Sequence, residues 1–307
     1  MTDIQPQPDM IGGVPTPPLA VLPRPERLFR MRAERFEFLA QTATLAPYLT
    51  FLAALCRVQA GLAAALPAVA PVDSAVVDRA RTAAMPPIDR DALVDDPLLG
   101  ATLDALLAEA RAIDMPAPAR LALDALQAAT TEDRRWLIGN VLDDSIPADS
   151  AAPHLFVAAA VQVHLARLAA TLDAGRLVPI RTGVCPCCGG KPAASVVTGV
   201  MGAEGARYAA CAGCQTLWNE VRLTCLACGT TKGIGFRAVE DAATGNTGAQ
   251  IKAETCDGCG SWVKQMDQHK NPTLDPVADD VASLGLDALM KGEKWRRAGF
   301  DPFLIGY

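Results

Sequence analysis

Eight of the ten cysteines in this chain fall in four Cys-x-x-Cys pairs, Cys185/Cys188, Cys211/Cys214, Cys225/Cys228 and Cys256/Cys259, all within 75 residues. Two thiolates spaced in this way can grip one edge of a tetrahedral metal ion, and two such pairs complete a four-sulfur shell. Eight cysteines therefore predict two metal ions, each held by four cysteines. The spacing also repeats. Cys185 to Cys225 and Cys188 to Cys228 are each 40 residues apart, whereas Cys211 to Cys256 and Cys214 to Cys259 are each 45 apart. A tryptophan follows the second pair of each unit, Trp218 and Trp262. The simplest account is a tandem duplication of one metal ribbon. One unit then uses Cys185, Cys188, Cys211 and Cys214, and the other uses Cys225, Cys228, Cys256 and Cys259.

The local chemistry agrees. Gly189, Gly229 and Gly260 each follow directly on a pair, where a tight knuckle needs positive φ and turns backbone N–H groups toward sulfur. Three alternatives compete. The pairs could interleave as a cross-brace, but the duplicated spacing favours sequential use. One pair could be a redox dithiol, but no βαβ pattern surrounds any of them. The metal could be zinc or iron, because a closed four-sulfur site suits both.

Other candidates carry less chemistry. Cys187 lies between two ligands and reads as a bystander. Cys56 sits on a helical apolar stripe and reads as core. His154 and His164 fall about 80° apart around one helix and read as ordinary helix residues, and His269 reads as solvated. Asp95/Asp96 and Asp143/Asp144 read as caps and loop charges. Glu254 and Arg222 flank ligand pairs and could tune a site, contact a partner or form surface ion pairs. No phosphate loop, dinucleotide fingerprint or nucleophile elbow is present.

The elements that must position the cysteines divide the chain. Residues 1–180 carry 15 Arg, no Lys and 21 acidic residues, and residues 181–307 carry 13 basic and 13 acidic residues. Eight thiolates around two divalent ions add about −4 to the second part. Such a balance offers no footprint for a phosphate backbone and argues against nucleic acid as a partner. Residues 1–23 contain six prolines and read as a disordered arm without a secretory pattern. The apolar stretch His154–Leu172 is interrupted by Gln162, His164 and Arg167 and predicts no stable membrane insertion. Paired cysteines without an export signal then favour metal ligation in a reducing cytoplasm over disulfides.

The predicted fold class is α+β: an all-α helical N-terminal domain over 24–180, a first four-cysteine metal ribbon over 181–222, a second over 223–270, and a C-terminal helix and tail over 271–307. Helices are expected from Pro25, over Pro47–Leu66, over Glu132–Leu142 with Thr130 or Thr131 as cap, and over Ala152–Asp173. Strands are expected at Ser195–Val200, Leu217–Leu223, Ile234–Val239 and Ser261–Met266. Asp275-Pro276 should start the last helix, with Asp279 and Asp280 in its first turn. On this division, Cys→Ser changes at 185, 211, 225 or 256 should loosen only the ribbons.

The residues also carry a resemblance. The run from Cys185 to Pro192, Arg207-Tyr208 before Cys211, and Trp218 with Arg222 before Cys225 resemble the FdhE family of formate dehydrogenase accessory proteins. So do Ala253–Cys259 followed by Trp262-Val263-Lys264, the segment Asp275–Asp287 and the closing Gly299–Phe303. Trp262 stands where the family more usually has tyrosine. The resemblance implies rubredoxin-like ribbons and a non-enzymatic cytoplasmic maturation factor. Its partner would be the catalytic subunit of a molybdenum-dependent formate dehydrogenase, bound before export. The paired cysteines would be its functional residues. Self-association stays open, and the alternative function is a rubredoxin-like redox carrier or sensor.

Overall fold

A computed structural model describes residues 17–199, 203–239 and 249–305. The N-terminal part holds seven helices among the described residues: α1 (Pro25–Ala40), α2 (Ala46–Ala65), α3 (Ser74–Ala83), α4 (Pro97–Ala110), α5 (Ala117–Ala128), α6 (Thr131–Leu142) and α7 (Ala151–Ala169). Local chemistry sets their starts. Pro25, Pro47, Pro97 and Pro118 occupy first-turn positions, where a missing N–H costs nothing. Asp73 and Asp96 cap α3 and α4 through their side chains. Thr130 caps α6 in a reciprocal box with Asp133.

Helix α7 is the hub. It packs against α2, α4, α5 and α6, and every residue from Phe156 to Ala166 is buried. Segments Ala46–Ala65 and Ala148–Ala169 are long and apolar enough to cross a membrane by length and composition. Burial on all sides accounts for the apolar character of α7, since a helix that is apolar all round belongs inside a core.

The second part is one sheet rather than two separate ribbons. Its strands are β1 (Ala20–Val21), β2 (Pro192–Val197), β3 (Arg207–Cys211), β4 (Leu217–Glu220), β5 (Ile234–Arg237), β6 (Ile251–Cys256), β7 (Ser261–Asp267) and β8 (Arg296–Arg297). The spatial order is β1-β4-β3-β2-β7-β6-β5, with β8 also on β7. Each ribbon is an antiparallel trio, β2-β3-β4 or β5-β6-β7. A parallel ladder, Ser195↔Gln265 to Val197↔Asp267, joins them.

The structure corrects several expectations. Residues 1–16 of the expected arm lie outside the described residues, but the arm does not extend to 23. Ala20 and Val21 pair with Trp218 and Leu217, Asn219 N–H donates to the Leu19 carbonyl (2.8 Å), and the Tyr208 hydroxyl donates to that of Pro18 (3.0 Å). The backbone of β4 would otherwise be an open edge. Strand β2 begins at Pro192 rather than Ser195, and Val200 lies outside the described residues.

The last helix is broken into α8 (Ala278–Ala282) and α9 (Leu284–Met290). Asp275 does cap its start, accepting from the N–H groups of Val277 and Ala278. Asp279 and Asp280 lie in the first turn of α8, as expected, and both are also buried in ion pairs. Asp279 holds Arg35 of α1 in a two-pronged contact (2.6 and 2.9 Å). Asp280 faces the fully buried Lys264 of β7, whose Nζ lies 3.0 Å from its carboxylate and donates to its carbonyl (2.6 Å). Asp287 and Arg297 complete this cluster.

Removing one partner of such a cluster strands the other charges. Lys264→Met should therefore cost about 3–5 kcal/mol of stability, read as a lower urea midpoint. A change below ~1 kcal/mol would show that the cluster is solvated.

Candidate metal centres

The sheet brings the eight sulfurs together as two groups. Cys185, Cys188, Cys211 and Cys214 form one, Cys225, Cys228, Cys256 and Cys259 the other, and within each all sulfurs lie within 4.8 Å of one another. The grouping is sequential, not cross-braced. Between the two pairs of each group, sulfur–sulfur distances are 3.5 Å for Cys185–Cys214 and Cys188–Cys211, 3.7 Å for Cys225–Cys259 and 3.8 Å for Cys228–Cys256. A tetrahedral ion with metal–sulfur bonds near 2.3 Å needs sulfur–sulfur edges of about 3.8 Å. Both groups fit a metal ion of this size.

Knuckle geometry explains the fit. Gly189, Gly229 and Gly260 have φ of 74°, 75° and 65°, as their positions after the pairs require. The fourth equivalent position holds Gln215, also left-handed at φ 65°. Its side chain holds it there: Nε2 donates to the carbonyls of Ala212 (2.8 Å) and Gly213 (3.2 Å), and Oε1 accepts from Arg32 of α1 (2.8 Å). Arg32 in turn donates to Asp275 (2.9 Å). The knuckle is thus wired to the first helix and to the start of the C-terminal segment.

The two groups differ in surroundings. All four cysteines of the first are at most 1% exposed and belong to the same apolar core as the helices. Gln162 of α7 donates to the Ala212 carbonyl (3.0 Å), and Gln59 of α2 donates to Gln162 (3.2 Å). Ile88 N–H donates to the Cys187 carbonyl (3.0 Å). Arg90 forms a two-pronged pair with Asp144 (2.8 and 2.9 Å), and Asp144 also accepts from Lys191 N–H (2.8 Å). Burial alone would lower the Arg90 pKa, but Asp144, helped by the Cys188 and Cys211 sulfurs, holds it above its ordinary value. In the second group Cys228 is exposed and Cys259 half-buried.

The donor chemistry calls for a cation. Burial, and then hydrogen bonds from neighbouring sulfurs, push the Cys185 thiol up, while those sulfur contacts push Cys188 down. Four adjacent buried sulfurs cannot all ionise without a positive ion between them. Burial also raises Cys259, but its contact with Ser261 and the other sulfurs brings it to about 7.

A cleft of about 1170 Å³ runs between α3, with the loop that follows it, and the outer faces of the two knuckles. Cys188-Gly189 and Cys228-Gly229, the equivalent tips of the two units, both line it.

Models described as FdhE, N-terminal, FdhE, central domain and FdhE, C-terminal domain match residues 17–182, 184–222 and 223–304. The chain belongs to the FdhE family. A protein named FdhE homolog from Rhizobium meliloti (strain 1021) is 56% identical over 307 residues, covering 100% of this chain and 99% of its own. Protein FdhE of Escherichia coli O9:H4 (strain HS) is 31% identical over 297 residues, covering 94% of this chain and 91% of its own. The crystal structure of the FdhE protein from Pseudomonas aeruginosa superposes with a TM-score of 0.83 at 32% identity, covering 94% of this chain and 99% of that one. The fold of the family is therefore the fold of this chain, helical part included.

The remaining candidates fall outside the sulfur groups. Cys56 is buried core. His154 is held by the Ser150 carbonyl (2.6 Å) and lies beside Asn140 (3.2 Å), and His164 lies 3.4 Å from Asp96. Burial lowers the pKa of both histidines. His269 N–H donates to Asp267 (3.1 Å). Asp96 is a cap, but Asp144 is no loop charge: it is the buried partner of Arg90. Glu254 is also buried, paired with Arg207 (2.8 Å), and so offers nothing to a partner, while Arg222 is exposed.

Sequence reasoning missed Arg32, Arg90 and Gln215. It also missed a hydroxyl two residues beyond each last ligand: Thr216, 3.2 Å from Cys214 Sγ, and Ser261, 2.9 Å from Cys259 Sγ. The repeat carried that signal, at +2 in both units. The first group's sulfurs share the helical core, so loss of Cys185 or Cys211 should loosen the helices as well as the ribbons.

Gln215→Ala keeps the left-handed strain and loses three hydrogen bonds, whereas Gln215→Gly loses the bonds but relieves about 1–2 kcal/mol of strain. The alanine variant should therefore be the less stable, by about that amount in urea unfolding. Equal stabilities would remove the strain from the account.

Proposed function

We propose that this chain is a non-enzymatic accessory protein. On this reading it binds the catalytic subunit of a molybdenum-dependent formate dehydrogenase in the cytoplasm and supports its assembly before export. Full-length similarity to proteins named FdhE is the observation that carries it. The closed sulfur groups support it. Each offers four protein donors, so a bound ion has no vacant position for a substrate, as befits structural rather than catalytic metal.

Cys185, Cys188, Cys211 and Cys214 are proposed as ligands of one ion, and Cys225, Cys228, Cys256 and Cys259 of the other. Zinc and iron both suit the donor set; either would supply a fixed point that stiffens a ribbon. The chain's own residues do the rest. Gln215, Arg32 and Asp275 tie the first knuckle to α1 and the C-terminal segment, and Gln162 ties it to α7. The result is a rigid body, suited to holding a partner rather than to turnover.

The test is capture of the immature formate dehydrogenase catalytic subunit by tagged protein, without oxygen. Stoichiometric capture that is lost when the paired cysteines are serine is the expected result. Fully metal-loaded protein that captures nothing would sink the assignment and bring the redox-carrier reading forward.

A further inference from the structure

The two sulfur groups share a ligand set and a knuckle design, yet the fold treats them in opposite ways. The first is closed to solvent, although Cys188 and Gly189 line the same cleft as Cys228 and Gly229. Its cysteines are at most 1% exposed, and Pro86 covers the turn after Cys188: a Cβ at Gly189 would lie 3.3 Å from its Cγ. Leu165 of α7 packs at 3.1 Å from the corresponding position of Gly213. In the second group Cys225 and Cys256 are buried, but Cys228 is exposed on the wall of the cleft and Cys259 is half-buried. Among the described residues no helix of the N-terminal layer closes on this turn: a Cβ at Gly229 would meet only Thr182, at 3.5 Å.

The geometry points to a division of labour. The first group is a permanent structural centre, and the second is an exchangeable one that takes up and gives up its ion to thiol ligands arriving through the cleft. Exchange begins at Cys228. An incoming thiol contributes its sulfur to the ion as Cys228 gives up its place; the proton lost by that thiol goes to the Cys228 sulfur. No electron is transferred, and the number of metal–sulfur bonds is unchanged. Cys259 is the next sulfur to be reached, because it is the other partly exposed ligand. The first group has no such starting point: opening it requires separating helices α1 and α7 from the ribbon. The inference rests on both groups holding metal.

Full-length protein loaded with two equivalents of zinc tests it. Glutathione and a colorimetric zinc chelator are added, release is followed by absorbance, and samples are quenched with iodoacetamide for peptide mapping. One equivalent should leave at least about 100-fold faster than the other, as local and global opening differ. Alkylation should appear first on Cys228 and Cys259 while the helical circular dichroism is unchanged. The slow equivalent should leave only with loss of helix. Release of both ions in one phase, first labelling at Cys185, Cys188, Cys211 or Cys214, or retention of both ions until unfolding would each overturn the proposal. Metal analysis before the reagents are added keeps the readings apart: uptake of fewer than two equivalents means that metal binding itself fails. As a second variant, Cys228→Ser leaves three sulfurs in the second group, so only that ion should be lost while the slow equivalent and the helical circular dichroism are unchanged; loss of both ions would overturn the division.

Discussion

Burial of the first four-sulfur group inside the helical core is the constraint on which the rest of the structure depends. Those sulfurs pack in one continuous apolar cluster with Phe29 and Phe36 of α1, Leu52 of α2 and Leu165 of α7. A buried set of four thiolates carries too much charge to stand alone. With an ion at its centre, the same set becomes a compact cross-link. Structural zinc in small fingers contributes roughly 10–16 kcal/mol of apparent binding free energy, which is comparable to the whole stability of a typical domain, about 5–15 kcal/mol. An ion placed there bears on the helices as much as on the ribbon, because α1, α7 and the segment around Ile88 and Arg90 form the walls of its site.

Ionic contacts extend the same unity to the far end of the chain. Arg32 and Arg35 of α1 hold Asp275 and Asp279, so the C-terminal segment returns to the first helix. Lys264, Asp280, Asp287 and Arg297 hold it to the sheet from the other side. Buried pairs of this kind add little net stability over apolar packing, since desolvation offsets most of the attraction. Their value is geometric. Consecutive aspartates point in opposite directions, Asp279 to a helix and Asp280 to a strand, and this arrangement fixes where the segment must lie.

Local chemistry was legible in the sequence where it is short-range. Thr130 with Asp133, the prolines that open helices, the glycines after the pairs and the duplicated spacing all act within a few residues, and each could be read directly. What was hidden depends on partners far along the chain. Strands β3 and β6 escaped notice because Arg207, Lys252 and Glu254 look like surface residues. In the fold Arg207 and Glu254 neutralise one another between the two ribbons, so tertiary pairing overrides their low strand preference. Gln215 was unreadable for the same reason. A glutamine in left-handed backbone makes sense only once Arg32, 183 residues away, is seen to hold it.

Edge closure explains why the duplicated ribbons do not behave as beads on a string. Each antiparallel trio would end in open strands that invite unwanted pairing. Strand β7 uses one side for β6 and divides the other between β2 at Gln265–Asp267 and β8 at Ser261 and Trp262. Strand β1 covers β4 at the far side of the sheet. The second ribbon is therefore bound to the first along its backbone, while its outer knuckle is left outside the helical layer. A ribbon anchored on one side and open at its metal-binding tip can lose order there without the sheet coming apart. The first ribbon, walled in by helices, has no such freedom.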